Sequence, residues 1–456
     1  MAAHESTGAS QSVSRRHFLT NTSLAAAATA AVATAGSSAM ALSERTLAAQ
    51  DKPAQPPQRP LRVAAIHSIY RFRSHAYHIS GRLIHGYEWN GFLHQPACRV
   101  VRMYNDQSPK DDMGPDVCQR HGIELCKTPE ETLGANGGLD VDAVLIIVEH
   151  GDYPLNERQQ ILYPRYEMFE RVAEVFRKAG RSVPVFVDKH LSYDYEKAAK
   201  MVATAKTLGF PLMAGSSLPV TWRRPDIEPP LETPFEEGLV CFGYDRGPAE
   251  IYFFHALEVL QSMLERRTGG ETGVKKVECL RGEAVWQAGD AGRWSWKLLQ
   301  AALKRCPSLN VGPIRENVRD PVAILIEYAD GTRGAALNLI EQVSDFGFAG
   351  SLKNTSDPFS TYFHLPPPPG ARFFDPLTWN IEQHFLNQRS PYPAERTLLT
   401  STVLDWGLRS LAEKGRVIEH PSLQIRYQPP VSSGFARGGE TNLVSTTAFD
   451  LPAVGR

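Results

Sequence analysis

The chain has 456 residues, about two domains' length of sequence once a leader is set aside. With 42% hydrophobic residues and a formal net charge of -1, it carries no global field favouring nucleic acid or an anionic membrane, so small molecules are the expected partners. Its six cysteines (Cys98, Cys118, Cys126, Cys241, Cys279, Cys306) form no C-x-x-C pair, which excludes a zinc ribbon and a redox motif and leaves free thiols.

Residues 1–41 read as a twin-arginine export signal. Ser14-Arg15-Arg16-His17-Phe18-Leu19-Thr20 is followed by an Ala/Thr-rich run to Ala35 and by small residues ending Ala39-Met40-Ala41. The expected location is the periplasm or another compartment reached by that route. The run is too short and too alanine-rich to call for a permanent membrane span. Residues 42–60, polar and proline-rich, read as a linker.

From Leu61 the pattern alternates β-branched runs with amphipathic helical stretches. Strands are predicted over Arg62–Ile66, Arg99–Tyr104, Ala143–Val148, Val183–Val187 and Pro211–Ala214, and helices over Arg165–Ala179 and Tyr195–Leu208. Helix-then-strand in one sense predicts an α/β, Rossmann-like doubly wound parallel sheet over residues 61–215. An α+β domain with a largely antiparallel sheet is expected over 216–430. Within it the pattern predicts a helix over His255–Arg267 and a hairpin of Pro321–Tyr328 with Gly334–Leu339 around Ala329-Asp330-Gly331-Thr332. Closing helices are predicted over Trp379–Asn387 and Ala394–Glu413, with 431–456 as a tail.

Four places carry a family resemblance. They are Leu139-Asp140-Val141-Asp142-Ala143-Val144-Leu145-Ile146; Val187-Asp188-Lys189-His190-Leu191; His255-Ala256-Leu257-Glu258; and Tyr328-Ala329-Asp330-Gly331 with the stretch from Ile381-Glu382 to Ile418. In this order and spacing they resemble the Gfo/Idh/MocA oxidoreductases: a D-V-D-A-V strand, an E-K-P-like turn, an H-x-x-D-like helix and a late hairpin. The resemblance covers about Leu61 to Tyr427. It implies an NAD(P)-dependent oxidoreductase acting on a sugar, sugar acid or cyclitol, commonly a homo-oligomer through the sheet face of the second domain. It further implies Lys189 as the group that exchanges a proton with the carbinol, His255 as the histidine facing substrate, and His190 beside them.

The departure lies after the first strand, where the family carries G-x-G-x-x-G to bring backbone against the pyrophosphate. Here the chain reads His67-Ser68-Ile69-Tyr70-Arg71-Phe72-Arg73-Ser74-His75, without glycine. Cofactor binding is therefore expected to be non-standard, with His67, Ser68, Arg71, Asp106, Glu149, His150 and Asp188 as the candidate contacts. All but Arg71 follow or end predicted strands, and such ends share one crevice in an open parallel sheet. His75 and His78, with Glu250, His255 and Glu258, enrich the same crevice in nitrogen and oxygen donors. A divalent metal serving a lyase, hydrolase or isomerase on oxidised sugars is the alternative, although no metal ligand set is assigned. A non-catalytic carbohydrate-binding protein is the third reading. Trp222, Trp286, Trp294 and Trp296 could stack on a sugar or lie in a core. No G-x-S-x-G elbow and no Walker A loop is present.

Overall fold

The computed structural model describes residues 59–244, 247–366 and 370–438. The predicted export signal, most of the linker and the end of the tail lie outside the described residues. In chain order the first strands are β1 (Leu61–His67), β2 (Tyr87–Trp89), β3 (Phe92–His94), β4 (Cys98–Asn105), β5 (Glu124–Leu125), β6 (Ala143–Ile147), β7 (Val185–Asp188) and β8 (Leu212–Gly215). Between them run α1 (His75–His85), α2 (Gly114–His121), α3 (Pro129–Leu133), α4 (Arg165–Ala179) and α5 (Tyr195–Leu208).

Six of these strands form a parallel sheet in the order β5-β4-β1-β6-β7-β8. The order reverses direction between β1 and β6, so the carboxyl ends of β1, β6, β7 and β8 border one crevice. The continuous apolar runs of β6 and β7 are buried on both faces, as a sheet covered on two sides requires. β2 and β3 form a separate hairpin that the sequence pattern did not reveal.

The second part comprises β9 (Trp222–Arg224), β10 (Phe235–Phe242), β11 (Val274–Arg281), β12 (Val322–Tyr328), β13 (Arg333–Asn338), β14 (Phe346–Leu352) and β15 (Phe359–His364). Its helices are α6 (Ala249–Leu264), α7 (Glu283–Asp290), α8 (Trp296–Leu303), α9 (Ile314–Asn317), α10 (Phe374–Asn387) and α11 (Ala394–Ala412). The sheet order is β11-β12-β13-β10-β14-β15-β9, antiparallel except for the β10–β13 pair. A Rossmann-like sheet followed by a largely antiparallel α+β sheet is the architecture expected from the sequence.

Two boundaries move. The helix predicted from His255 begins at Ala249, because Pro248 precedes an acidic first turn containing Glu250; His255 thus sits in its second turn. The helix predicted from Trp379 begins at Phe374, since Pro376 in a first turn forfeits no hydrogen bond.

Both faces of the second sheet are covered by the chain itself. α6 and α11 pack on one face through Phe253, Leu260, Val403 and Leu408, while α7 and α8 cover the other through Trp286, Leu298 and Leu299. Trp294 is fully buried with its indole N–H donated to the Val285 carbonyl, so this tryptophan is core and not a sugar platform. Trp222 is likewise buried, its indole N–H donated to the Gly438 carbonyl. Among the described residues no helix is long and apolar enough to cross a membrane.

Candidate functional site

The ends of β6, β7 and β8 place a dense polar cluster against α6. Lys189, immediately after β7, is held at φ +67°, and His150, after β6, at φ +70°. Non-glycine residues in that region are uncommon, and two at neighbouring strand ends mark a place where the surroundings dictate the backbone. The Lys189 N–H donates to the Gly215 carbonyl at 3.2 Å, which ties the turn after β7 to the end of β8.

Lys189 is buried, and its Nζ lies 2.6 Å from His255 Nε2 and 3.7 Å from Glu149 Oε1. The second Glu149 oxygen accepts from Arg165, which reaches the His190 ring at 3.2 Å. Burial alone would raise the Glu149 carboxyl, but Lys189 and Arg165 outweigh it and hold it down at about 2. It is a carboxylate compensating two cations. For Asp188 the same cations are outweighed: burial and the neighbouring Glu149 charge push it up to about 7. One of its oxygens pairs with His75 Nδ1 at 2.7 Å, and Oδ1 finds no partner among the described residues.

On the far side of Lys189, His255 Nδ1 lies 2.8 Å from Ser216 Oγ, and Ser216 Oγ in turn bonds Glu258. The Ser216 N–H also donates to both Glu258 oxygens, at 3.1 and 3.2 Å. This approach needs Gly215. At φ +127° a Cβ there would sit 2.5 Å from Glu258 Oε1. Burial, with Lys189 second, keeps His255 well below the ordinary histidine range, so its imidazole is neutral at pH 7. Burial also lifts Glu258 to about 7 against the Ser216 hydrogen bonds. A lysine, a neutral imidazole and a carboxyl near neutrality can exchange protons with a hydroxyl or carbonyl-bearing carbon.

The crevice at β1 is different. Ser68–Ser74 form a connector between β1 and α1 in which Ser68, Ile69 and Tyr70 are buried. The connector is packed onto neighbouring loops: Met113 N–H donates to the Tyr70 carbonyl and Gln107 N–H to the Ser68 carbonyl. Ser68 Oγ donates to the Glu149 carbonyl. The first turn of α1 is capped by Ser74, which accepts from the Tyr77 N–H. Phe374 of α10 stacks on His78 at 4.8 Å and meets His75 edge-on at 5.0 Å. A dinucleotide whose pyrophosphate rests on bare backbone at this helix start does not fit these residues.

The remaining candidates separate. His67 turns into the domain, its nitrogens 2.8 Å from Ser80 Oγ and 3.1 Å from Asn105 Oδ1, and burial lowers it to about 4; it does not face the crevice. Arg71 is half-exposed and pairs loosely with Asp111 at 3.6 Å. Asp106 accepts from Tyr104 and Tyr153 hydroxyls at 2.9 and 2.8 Å, so both oxygens have partners within its own domain. His190, where burial lowers the ring well below the ordinary range, supports Arg165. His150 is half-buried, its Nε2 has no partner among the described residues, and its ring lies 5.5 Å from that of His75. No group of three or more His, Cys, Asp or Glu able to hold a metal ion occurs among the described residues. His75 and His78 diverge to Asp188 and Phe374, so their i, i+3 spacing does not become a ligand pair.

Arg165 and Ser216 escaped the sequence reading. An arginine opening a helix reads as solvated, and a serine after a strand as a turn residue. The Gly215-Ser216 pair at a strand end was the one available signal.

No protein-family model matches the sequence, and no curated protein matches it. Solved structures do. GenD2 from gentamicin A biosynthesis, determined in complex with NAD, aligns over 81% of this chain and 98% of its own with 14% identity and a TM-score of 0.51. A scyllo-inositol dehydrogenase from Lactobacillus casei with bound NAD(H) and scyllo-inositol aligns over 79% and 99% with 11% identity and a TM-score of 0.48. For a myo-inositol 2-dehydrogenase from Lactobacillus plantarum the values are 79%, 99%, 11% and 0.47. The likeness to GenD2 shows a shared two-domain fold, and at that level it agrees with the resemblance to the Gfo/Idh/MocA family.

Proposed function

We propose that this chain is an oxidoreductase of the Gfo/Idh/MocA type acting on a sugar, sugar acid or cyclitol, with its NAD(P) held otherwise than on a glycine turn. The observation that carries the reading is the buried contact between Lys189 Nζ and His255 Nε2 at 2.6 Å, at the carboxyl end of β7. These are the two residues to which the resemblance gives the proton-transfer chemistry. The solved structure of GenD2 with NAD supports the cofactor class.

The residues of this chain account for the proton half of such a reaction. Lys189 takes the proton of a substrate hydroxyl as its carbon becomes a carbonyl, and Glu149 balances the resulting ammonium. The unpartnered Asp188 Oδ1 and His150 Nε2 orient neighbouring hydroxyls, which is why buried polar atoms are left open there. The turn after β1 does not fit the usual pyrophosphate pose, so the nucleotide's phosphates would be held by other residues of the crevice. Export through the twin-arginine route belongs to the same proposal, since that route carries folded, cofactor-loaded proteins.

A second reading is favoured by the filled turn: acid–base chemistry without nucleotide, as in a lyase or isomerase on oxidised sugars. One measurement separates the two. Protein purified from a folding-competent host is denatured, and released nucleotide is quantified by absorbance and mass alongside metals. Stoichiometric NAD(P) is the expected result; its absence overturns the redox reading in favour of the second.

A further inference from the structure

We propose that Ser216 and Glu258 complete a proton relay that starts at Lys189 and passes through His255, with Glu258 as its internal terminus. As a route for a substrate proton the relay rests on the reading above, that Lys189 exchanges a proton with the substrate.

The atoms are already in line. Lys189 Nζ is 2.6 Å from His255 Nε2, His255 Nδ1 is 2.8 Å from Ser216 Oγ, and Ser216 Oγ bonds Glu258 Oε2. All four side chains are buried, so bulk water is not at hand to take the proton. Hydrogen bonding fixes the polarity of the chain. A protonated Lys189 can only donate, so Nε2 must accept, Nδ1 carries the hydrogen and gives it to Ser216, and the hydroxyl donates to an ionised Glu258.

One concerted shift reverses every bond. The Lys189 proton moves to Nε2, the Nδ1 hydrogen to Ser216 and the hydroxyl hydrogen to Glu258. Lys189 is left neutral, His255 in its other tautomer and Glu258 protonated. No charge remains on the imidazole or the hydroxyl, and one proton has crossed the chain. The product state has Lys189 ready to accept a proton from a substrate hydroxyl. Burial that lifts Glu258 to about 7 makes its protonated form more accessible as the end of the chain.

The geometry also explains Gly215. Any side chain there would collide with Glu258 Oε1 and push the carboxylate off Ser216. Ser216 and Glu258 touch no substrate in this scheme; they are positioning residues acting through His255.

The test needs neither substrate nor cofactor, so its outcome is independent of the nucleotide measurement above. Protein labelled with [15N]histidine is examined by long-range 1H–15N correlation, with the His255 signals assigned through His255→Gln. In the wild type the hydrogen is expected on Nδ1. In Glu258→Gln the new amide keeps its carbonyl for the Ser216 N–H and donates to Ser216 Oγ. The hydroxyl then donates to Nδ1, Lys189 gives up the proton that Nε2 can no longer accept, and His255 switches to the Nε2–H tautomer, donating to the neutral amine. Adding Ser216→Ala to that variant breaks the link, and the hydrogen returns to Nδ1. A wild type found as Nε2–H or as imidazolium, or one tautomer retained in Glu258→Gln, overturns the relay. The wild-type arm stands even where a variant does not fold.

Discussion

The turn after β1 and the turn after β7 occupy equivalent places in one parallel sheet, yet they are built on opposite plans. After β1 the chain closes the crevice: Ser68, Ile69 and Tyr70 are core, their backbone engages neighbouring loops, and Ser74 satisfies the start of α1. After β7 it gathers a polar cluster instead, with Lys189 held at positive φ among groups that are charged, near neutrality or without a partner among the described residues. Strain and unsatisfied atoms persist only where something else gains from them. The difference teaches that the end of β7 gathers the groups to which the proposed function gives proton transfer, while the start of α1 is built as packing.

The largest effect that would break this comparison comes from Lys189→Met. Loss of a proton-transfer group is expected to cut turnover of whichever sugar or cyclitol the wild type converts by about 10²–10⁴-fold. Nucleotide content should be unchanged, because the lysine is not asked to hold it. Activity within a few-fold of wild type would remove β7 from the chemistry. Next comes Glu149→Gln. It leaves Arg165, 1% exposed, without its counter-ion, and removal of one member of a buried ion pair costs about 3–5 kcal/mol. A fall in unfolding free energy of that order, read from urea denaturation followed by circular dichroism, is the expected result.

The sequence and the structure agree on the sheet, its helices, the late hairpin and the placement of Lys189 and His255 near each other. Period and order were enough for the elements, since apolar runs and helical spacing are local signals, whereas the pairing of Lys189 with His255 came from the family resemblance. The cluster around them was only partly legible. Glu149, Asp188 and Glu258 stood out as acids on strand ends or on a helix, but Arg165 and Ser216 join them through contacts distant in sequence. His67 shows the opposite failure. It ends β1 as the site residues end theirs, yet the side chain alternates to the α1 face and bonds Ser80, an orientation set by strand register. The helices α7 and α8 that cover the second sheet's outer face were not read from the sequence either.

A smaller and more diagnostic effect is the pH dependence of stability. The folded chain holds the Asp188 proton up to about 7, whereas an unfolded aspartate releases it near ~4. A raised carboxyl contributes stability that is full at low pH and lost as pH rises from about 4 to about 7. Glu149, held down at about 2, acts in the other direction and in a separate window. Its contribution is present above the ordinary glutamate range and disappears only as pH falls toward 2. Asp188→Asn is therefore expected to flatten the decline in stability between about pH 4 and 7, followed by urea midpoints at successive pH values. An unchanged slope would mean that Asp188 is ionised in the folded protein, paired with a charged His75.

The smallest effect sharpens the β1 side. In a dinucleotide site the first turn of the helix leaves its N–H groups for phosphate oxygens; here Ser74 accepts from the Tyr77 N–H at 3.1 Å and takes one of them. If that cap is simply the end of a packed helix, Ser74→Ala costs about 1 kcal/mol, the usual loss for an N-cap serine, and leaves nucleotide content unaltered. If phosphate does reach this helix, removing the competing hydroxyl frees a donor for it, and the variant should retain more nucleotide than the wild type through the same purification. The two outcomes differ in sign on one assay. The buried Tyr70 and the Phe374 ring against His75 and His78 lead us to expect the first. The helix start is then structural, and a bound nucleotide must find its phosphate contacts elsewhere in the crevice.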